Sequence, residues 1–137
     1  LDLGEKRIGV AVTDVEQMAA FPGRVLTRRS AKADRQAIAA LVTELQAEAV
    51  IVGLPLSMDG EAGPNAERAR SFGEYLGRAV RVPVLFQDER LTTVEAEERL
   101  RAGGVPAAER RQRIDSAAAA VILEDYLRDR ARRAAPA

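Results

Sequence analysis

A chain of 137 residues, 47% hydrophobic and 31% charged, is long enough to bury a core of its own, and it is expected to form a single domain over residues 1–137. Its 21 basic and 21 acidic residues cancel, so any surface for a polyanion has to come from local segregation of arginines. The absence of cysteine and histidine removes disulfides, zinc ribbons, thiol nucleophiles and the imidazole base, which leaves the hard chemistry of carboxylates.

No apolar run approaches membrane-spanning length and no signal-peptide pattern opens the chain, so no membrane partner and a cytoplasmic location are expected. A strand already under way at Leu1, with no Met, suggests that a few residues precede it in the natural protein.

Leu1 and Leu3 flank Asp2, the polar Glu5-Lys6-Arg7 interrupts after Gly4, and Ile8, Val10 and Val12 resume at period two. This predicts a two-stranded hairpin over Leu1 to Asp14. Asp2 stands in an Asp-x-Gly where a strand ends and Gly4 leaves room for an anionic ligand, which makes it the first functional candidate; the alternative is an Asp that caps a turn. Phe21-Pro22-Gly23 reads as a turn, and Arg24 to Thr27 as a third, edge strand followed by Arg28 and Arg29. Ser30 is the expected N-cap of a first helix whose stripe is Ile38, Leu41, Val42 and Leu45.

Ala49 to Gly53 is continuously apolar and β-branched, as in a parallel strand buried on both faces. Leu54 to Pro64, broken by Pro55, Asp59-Gly60 and Gly63-Pro64, is expected as a loop at the carboxyl end of that strand, where ligands bind in open α/β sheets. A helix over Ala66 to Gly77 and a buried strand from Pro83 to Phe86 follow, the strand running out at Gln87-Asp88-Glu89-Arg90. Thr92 and Glu95 form a capping box for a helix reaching about Arg101, stopped by Gly103-Gly104. Val105 to Arg113, with Pro106 and the cluster Arg110, Arg111 and Arg113, reads as a basic loop. Asp115 then opens the last helix, with Ala119, Ile122 and Tyr126 on its face. The basic tail from Arg128 is expected to fray.

Three strands, helix, strand, helix, strand and further helices fit an α/β fold of ribonuclease H-like type, a five-stranded mixed sheet of order 3-2-1-4-5 flanked by helices. The motifs resemble those of the YqgF/RuvX family of small ribonuclease H-like proteins, described as Holliday junction resolvase-like and as pre-16S rRNA nucleases. Leu1 to Asp14 looks like the family's D-x-G-x-K-R-I-G-V-A, and Val52 to Pro64 like V-G-L-P-L-x-M-D-G-x-x-G-P. Asp88 to Thr93 looks like D-E-R-L-T-T, and Ile114 to Leu127 like D-S-x-A-A-x-x-I-L-x-x-Y-L.

The resemblance implies a metal-dependent nuclease with a carboxylate site of Asp2, Glu89 and Asp115 holding Mg2+ or Mn2+, two ions in all. Glu89 is preferred to Asp88 because its extra methylene helps it reach from the fifth strand, although a slip of one residue in register would exchange the two. Taken singly, each acid also has a local reading: Asp115 as the acid of a helix's first turn, and Asp88 or Glu89 as a cap for the helix at Thr92.

Lys6, Arg7, Arg110, Arg111 and Arg113 are the expected phosphate contacts, which set affinity and salt dependence but not sequence preference. Arg28 and Arg29 read as a solvated face. The substrate is expected to be a precursor rRNA end or a four-way DNA junction; a junction, which needs paired nicks, calls for a symmetric homodimer, and rRNA trimming does not. Two rivals stand beside this reading: an actin-like ATPase lobe, which also opens on an Asp-x-Gly hairpin but closes two lobes on its nucleotide, and a non-catalytic nucleic-acid-binding module.

Overall fold

The alternation of Ile8, Val10 and Val12 and the β-branched run Val50 to Val52 dictate strands, and both form. The computed structural model describes residues 1–56, 63–89, 98 and 100–134, the side chains of residues 108 and 110–112 excepted. The backbone divides into two compact units, Leu1–Leu26 with Leu91–Ala137, and Thr27–Arg90.

In the first unit, β1 (Asp2–Leu3) pairs antiparallel with β2 (Arg7–Thr13), and β3 (Ala20–Thr27) starts there and lies beyond β2, in the order β1-β2-β3. The expected turn at Phe21-Pro22-Gly23 is instead part of β3. The chain reverses earlier, where the Asp14 carboxylate accepts the N–H groups of Met18 and Ala19 at 2.7 and 3.1 Å and Gln17 takes a left-handed φ of 57°. Pro22 is tolerated because β3 is an edge strand of its sheet, and Gly23 passes so close to β2 that a Cβ would stand 3.0 Å from the Val10 carbonyl oxygen.

A helical stretch ends at Ala102 and turns at Gly104, whose φ of +77° is the left-handed conformation glycine adopts without strain. The expected capping box at Thr92 and Glu95 lies outside the described residues. The last helix, here α3, spans Ala107–Ala134 and packs on β2 and β1. Its buried run from Ser116 to Ile122 is mostly alanine, which keeps the helix thin where it meets the sheet. Leu100 packs with Ala117, Ala118 and Val121, flanked by Val105 and Ile114.

In the second unit, α1 (Ala31–Leu45) begins at the expected cap, the Ser30 hydroxyl accepting the Ala33 N–H at 3.1 Å. β4 (Val50–Pro55), buried except at Pro55, pairs in parallel with β5 (Val84–Glu89), from Val50 opposite Val84 to Pro55 opposite Glu89. α2 (Pro64–Gly77) starts on the proline at its first turn and packs on both strands. Gly73 lies under the Phe86 ring, 2.5 Å from where its Cβ would be.

Arg28 is not the solvated residue its sequence context suggested. Its guanidinium lies 3.3 Å from buried Asp34 and 5.6 Å from the Phe72 ring centre, while Asp34 also accepts the Arg29 N–H at 3.0 Å. The pair fixes the entry to α1 and leaves the Arg29 side chain exposed.

The hydrogen-bonded ladders among the described residues thus make a three-stranded and a two-stranded sheet, not one sheet of five. Continuity in the order 3-2-1-4-5 would require β1 to pair with β4. β1, cut short at two residues by the turn after Leu3, pairs with β2 alone in those ladders.

Candidate active site

The hairpin turn fixes Asp2. The Gly4 N–H donates to the Arg7 carbonyl at 2.9 Å, and a Cβ on Gly4 would stand 2.8 Å from that oxygen, so its missing side chain serves the closure of the turn. The ladder then sets Asp2 opposite Gly9.

Gly9 is the link from the hairpin to α3. A Cβ at this position would overlap the carbonyl oxygen of Asp115 and stand 3.0 Å from the Ser116 nitrogen. The backbone of α3 therefore touches β2 at the residue facing Asp2, and Asp115 is carried to the same place. Sequence reading passed over Gly9, although an isolated glycine between Ile8 and Val10 is a signal of close backbone approach.

Asp115 is not at a helix start. Pro106 stands just before the first helical residue and Ala107 begins a run of good helix formers, so α3 is about two turns old when it reaches Asp115. The reading of Asp115 as an acid of the first turn falls with this. Arg110, Arg111 and Arg113 belong to the opening turns of α3 instead of a loop, and Arg113 is exposed.

Asp2 is half-buried. Burial pushes its carboxyl up from the ordinary 3.8 to about 6, and the Asp115 carboxylate adds to the rise. Asp115, with 18% of its side chain exposed, accepts a hydrogen bond from Arg7 Nε at 2.7 Å. Arg7, expected on phosphate, is thus engaged with an acid of its own chain, while Lys6 is exposed.

In the other unit, Glu89 ends β5 and is 6% exposed, whereas Asp88 is exposed. The two face opposite ways, as neighbours on a strand must. Among the described residues no group of three or more His, Cys, Asp or Glu side chains is gathered into a metal cage. The Asp2–Asp115 pair nevertheless has the chemistry a hard divalent cation takes: oxygen donors only, one of them reluctant to ionise because it is desolvated beside a like charge.

Residues 1–129 match the RuvX family, described as "Holliday junction resolvase". A protein of Anaeromyxobacter sp. (strain Fw109-5), named "Putative pre-16S rRNA nuclease", is 50% identical over 127 residues that cover 93% of each chain. Proteins of the same name from Chloroflexus aggregans (strain MD-66 / DSM 9485) and Halothermothrix orenii (strain H 168 / OCM 544 / DSM 9562) are 45% and 42% identical over 93% of this chain and 89% and 91% of their own.

Proposed function

The chain belongs to the RuvX family, and on that premise we propose that it is a metal-dependent nuclease hydrolysing phosphodiester bonds in structured nucleic acid. The observation that carries the reading is the convergence of Asp2 and Asp115, across Gly9, into a carboxylate pair in which one member is held back from ionising. Such a pair is costly unless a cation is to be held there.

Asp2 and Asp115 are assigned as ligands of Mg2+ or Mn2+, with Asp2 as the ligand two ions would share. Glu89, buried at the end of β5, is the third ligand proposed. A divalent ion held by these oxygens would supply activation of the attacking water and stabilisation of the leaving oxygen. The chain's own contribution is orientation. The β1–β2 ladder holds Asp2, the contact at Gly9 sets the depth of α3, and before metal enters Arg7 holds the Asp115 carboxylate by Oδ2.

The names of the relatives favour a precursor of 16S rRNA as substrate, and the family description favours a four-way DNA junction. Incubating the purified protein with labelled precursor rRNA and labelled junction in parallel, with Mg2+ and with Mn2+, decides between them. Cleavage of neither substrate, with binding retained, would leave a non-catalytic nucleic-acid-binding module.

Divalent metal is expected to stabilise the fold, by about 2.7 kcal/mol at a hundredfold excess over Kd. Thermal melts with and without Mn2+ measure the gain, which Glu89→Gln should reduce more than Asp88→Asn. The reverse order would mean that the exposed acid of β5 is the ligand.

The arginines of α3 are the proposed path for the nucleic-acid backbone. Replacing Arg110, Arg111 and Arg113 together by Ala should weaken binding and flatten its salt dependence by about 0.9 per lost contact on duplex DNA, or about 0.7 on single strands. Filter binding across a salt series reads this directly, and an unchanged slope would move the path to Lys6 and the hairpin.

A further inference from the structure

Arg7 lies on the hairpin strand that carries Gly9, and its Nε donates to Asp115 Oδ2 at 2.7 Å. Half of the Arg7 side chain is open to solvent, against 18% of Asp115. A guanidinium anchored at one end of an exposed side chain can leave without disturbing the ladder or the packing of α3, whereas Asp115 is held by the helix backbone at Gly9. The carboxylate is fixed and its counter-charge is movable.

We propose that Arg7 is a positioning residue that stands in for the cation on Asp115 while the site is empty of metal, and that it must be displaced when a divalent ion binds. This rests on Asp115 being a cation ligand, as proposed above. Oδ2 cannot keep a charge-assisted bond to Arg7 and bind a divalent ion at its usual short distance without placing two positive charges side by side. The exchange has two consequences. Without metal, Arg7 offsets the repulsion between Asp115 and Asp2 and holds the Asp115 carboxylate in one orientation. With metal, the guanidinium is released on the exposed side of the hairpin, beside Lys6, where a phosphate of the bound strand is its natural partner. Metal binding would then charge the nucleic-acid face as well as load the site.

The test is Mn2+ binding to the full chain, read by isothermal titration calorimetry without substrate, for the wild type, Arg7→Gln and Arg7→Lys. If the guanidinium competes with the ion, Arg7→Gln binds Mn2+ about fivefold more tightly, the factor that corresponds to losing a partly exposed ion pair of about 1 kcal/mol. The same variant melts at a lower temperature than the wild type in EDTA. Arg7→Lys, which keeps the positive charge, stays close to the wild-type Kd. A merely structural role predicts the opposite sign, because a loosened Asp115 binds metal less well. An equal or weaker Mn2+ affinity in Arg7→Gln, with the wild type still binding, would overturn the competition and leave the metal site standing. Absence of Mn2+ binding in both proteins would overturn the metal site and the competition with it. Mn2+ binding by Arg7→Gln but not by the wild type would be the competition in its strongest form.

Discussion

Asp2→Asn is expected to lower cleavage by about a thousandfold, ~4 kcal/mol of transition-state stabilisation, while the variant folds and binds nucleic acid at least as well as the wild type. The amide keeps the shape of the carboxylate and removes the charge that would hold metal, and it also removes a repulsion felt by incoming phosphate. The same variant has a second signature in metal-free buffer. The Asp2 carboxyl titrates near 6 in the folded protein against 3.8 ordinarily, so the folded state holds the extra proton between those values. Wild-type stability therefore falls as pH rises through that window and stays lower above it, by at most ~3 kcal/mol. Asparagine does not titrate. Urea unfolding should show Asp2→Asn more stable than the wild type at pH 8, with the gap closing toward pH 4. Wild-type turnover by the folded variant would sink the assignment of Asp2.

Gly9→Ala is expected to cost ~3 kcal/mol of stability and most of the activity, although it adds a single methyl group and removes no proposed ligand or phosphate contact. Where the Cβ would go there is backbone, the carbonyl of Asp115 and the nitrogen of Ser116, and a helix backbone cannot turn aside as a side chain can. The strand and α3 must part, and Asp115 moves away from Asp2. Gly73→Ala is the control: its Cβ would meet side chains instead of backbone, the Phe86 ring and, at 3.7 Å, Val52 Cγ2, and it lies in α2 of the other unit. Comparing unfolding and cleavage for the two variants separates the site at Gly9 from crowding in general. Full activity in Gly9→Ala would show that the depth of α3 does not govern Asp115.

How much of this was legible beforehand depended on whether a feature announces itself locally. The hairpin, the cap at Ser30 and the buried strand β4 could be read because alternation, a capping side chain and a β-branched run are properties of neighbouring residues. The extent of β3 was missed because Phe21-Pro22-Gly23 has the composition of a turn, while the true reversal is built by Asp14 on the N–H groups of Met18 and Ala19. The start of α3 is hidden because an arginine-rich stretch after a proline has the composition of a solvated loop, although the residues that follow Pro106 are good helix formers. Asp2 and Asp115 were found through their motifs. The bond from Arg7 to Asp115 joins residues 108 apart, and no periodicity carries information over that distance. Gly9 was the nearest thing to a local clue to it, an otherwise unexplained gap in a β-branched strand.

The division of the chain sets the order in which these parts can come into being. The unit Thr27–Arg90 is one continuous stretch, whereas the other is made from the two ends, Leu1–Leu26 and Leu91–Ala137. A chain leaving the ribosome can complete the continuous stretch while the residues after Arg90 are still being made. Ile8 and Val10 on β2 must wait for α3 to cover them, and that contact closes a loop of about a hundred residues, a step that is entropically costly and slow. The two acids consequently meet only after all the residues between them have been synthesised. A nascent chain stalled before residue 115 has Asp2 without Asp115 beside it, so the proposed carboxylate pair is withheld from incomplete molecules by the connectivity of the fold alone.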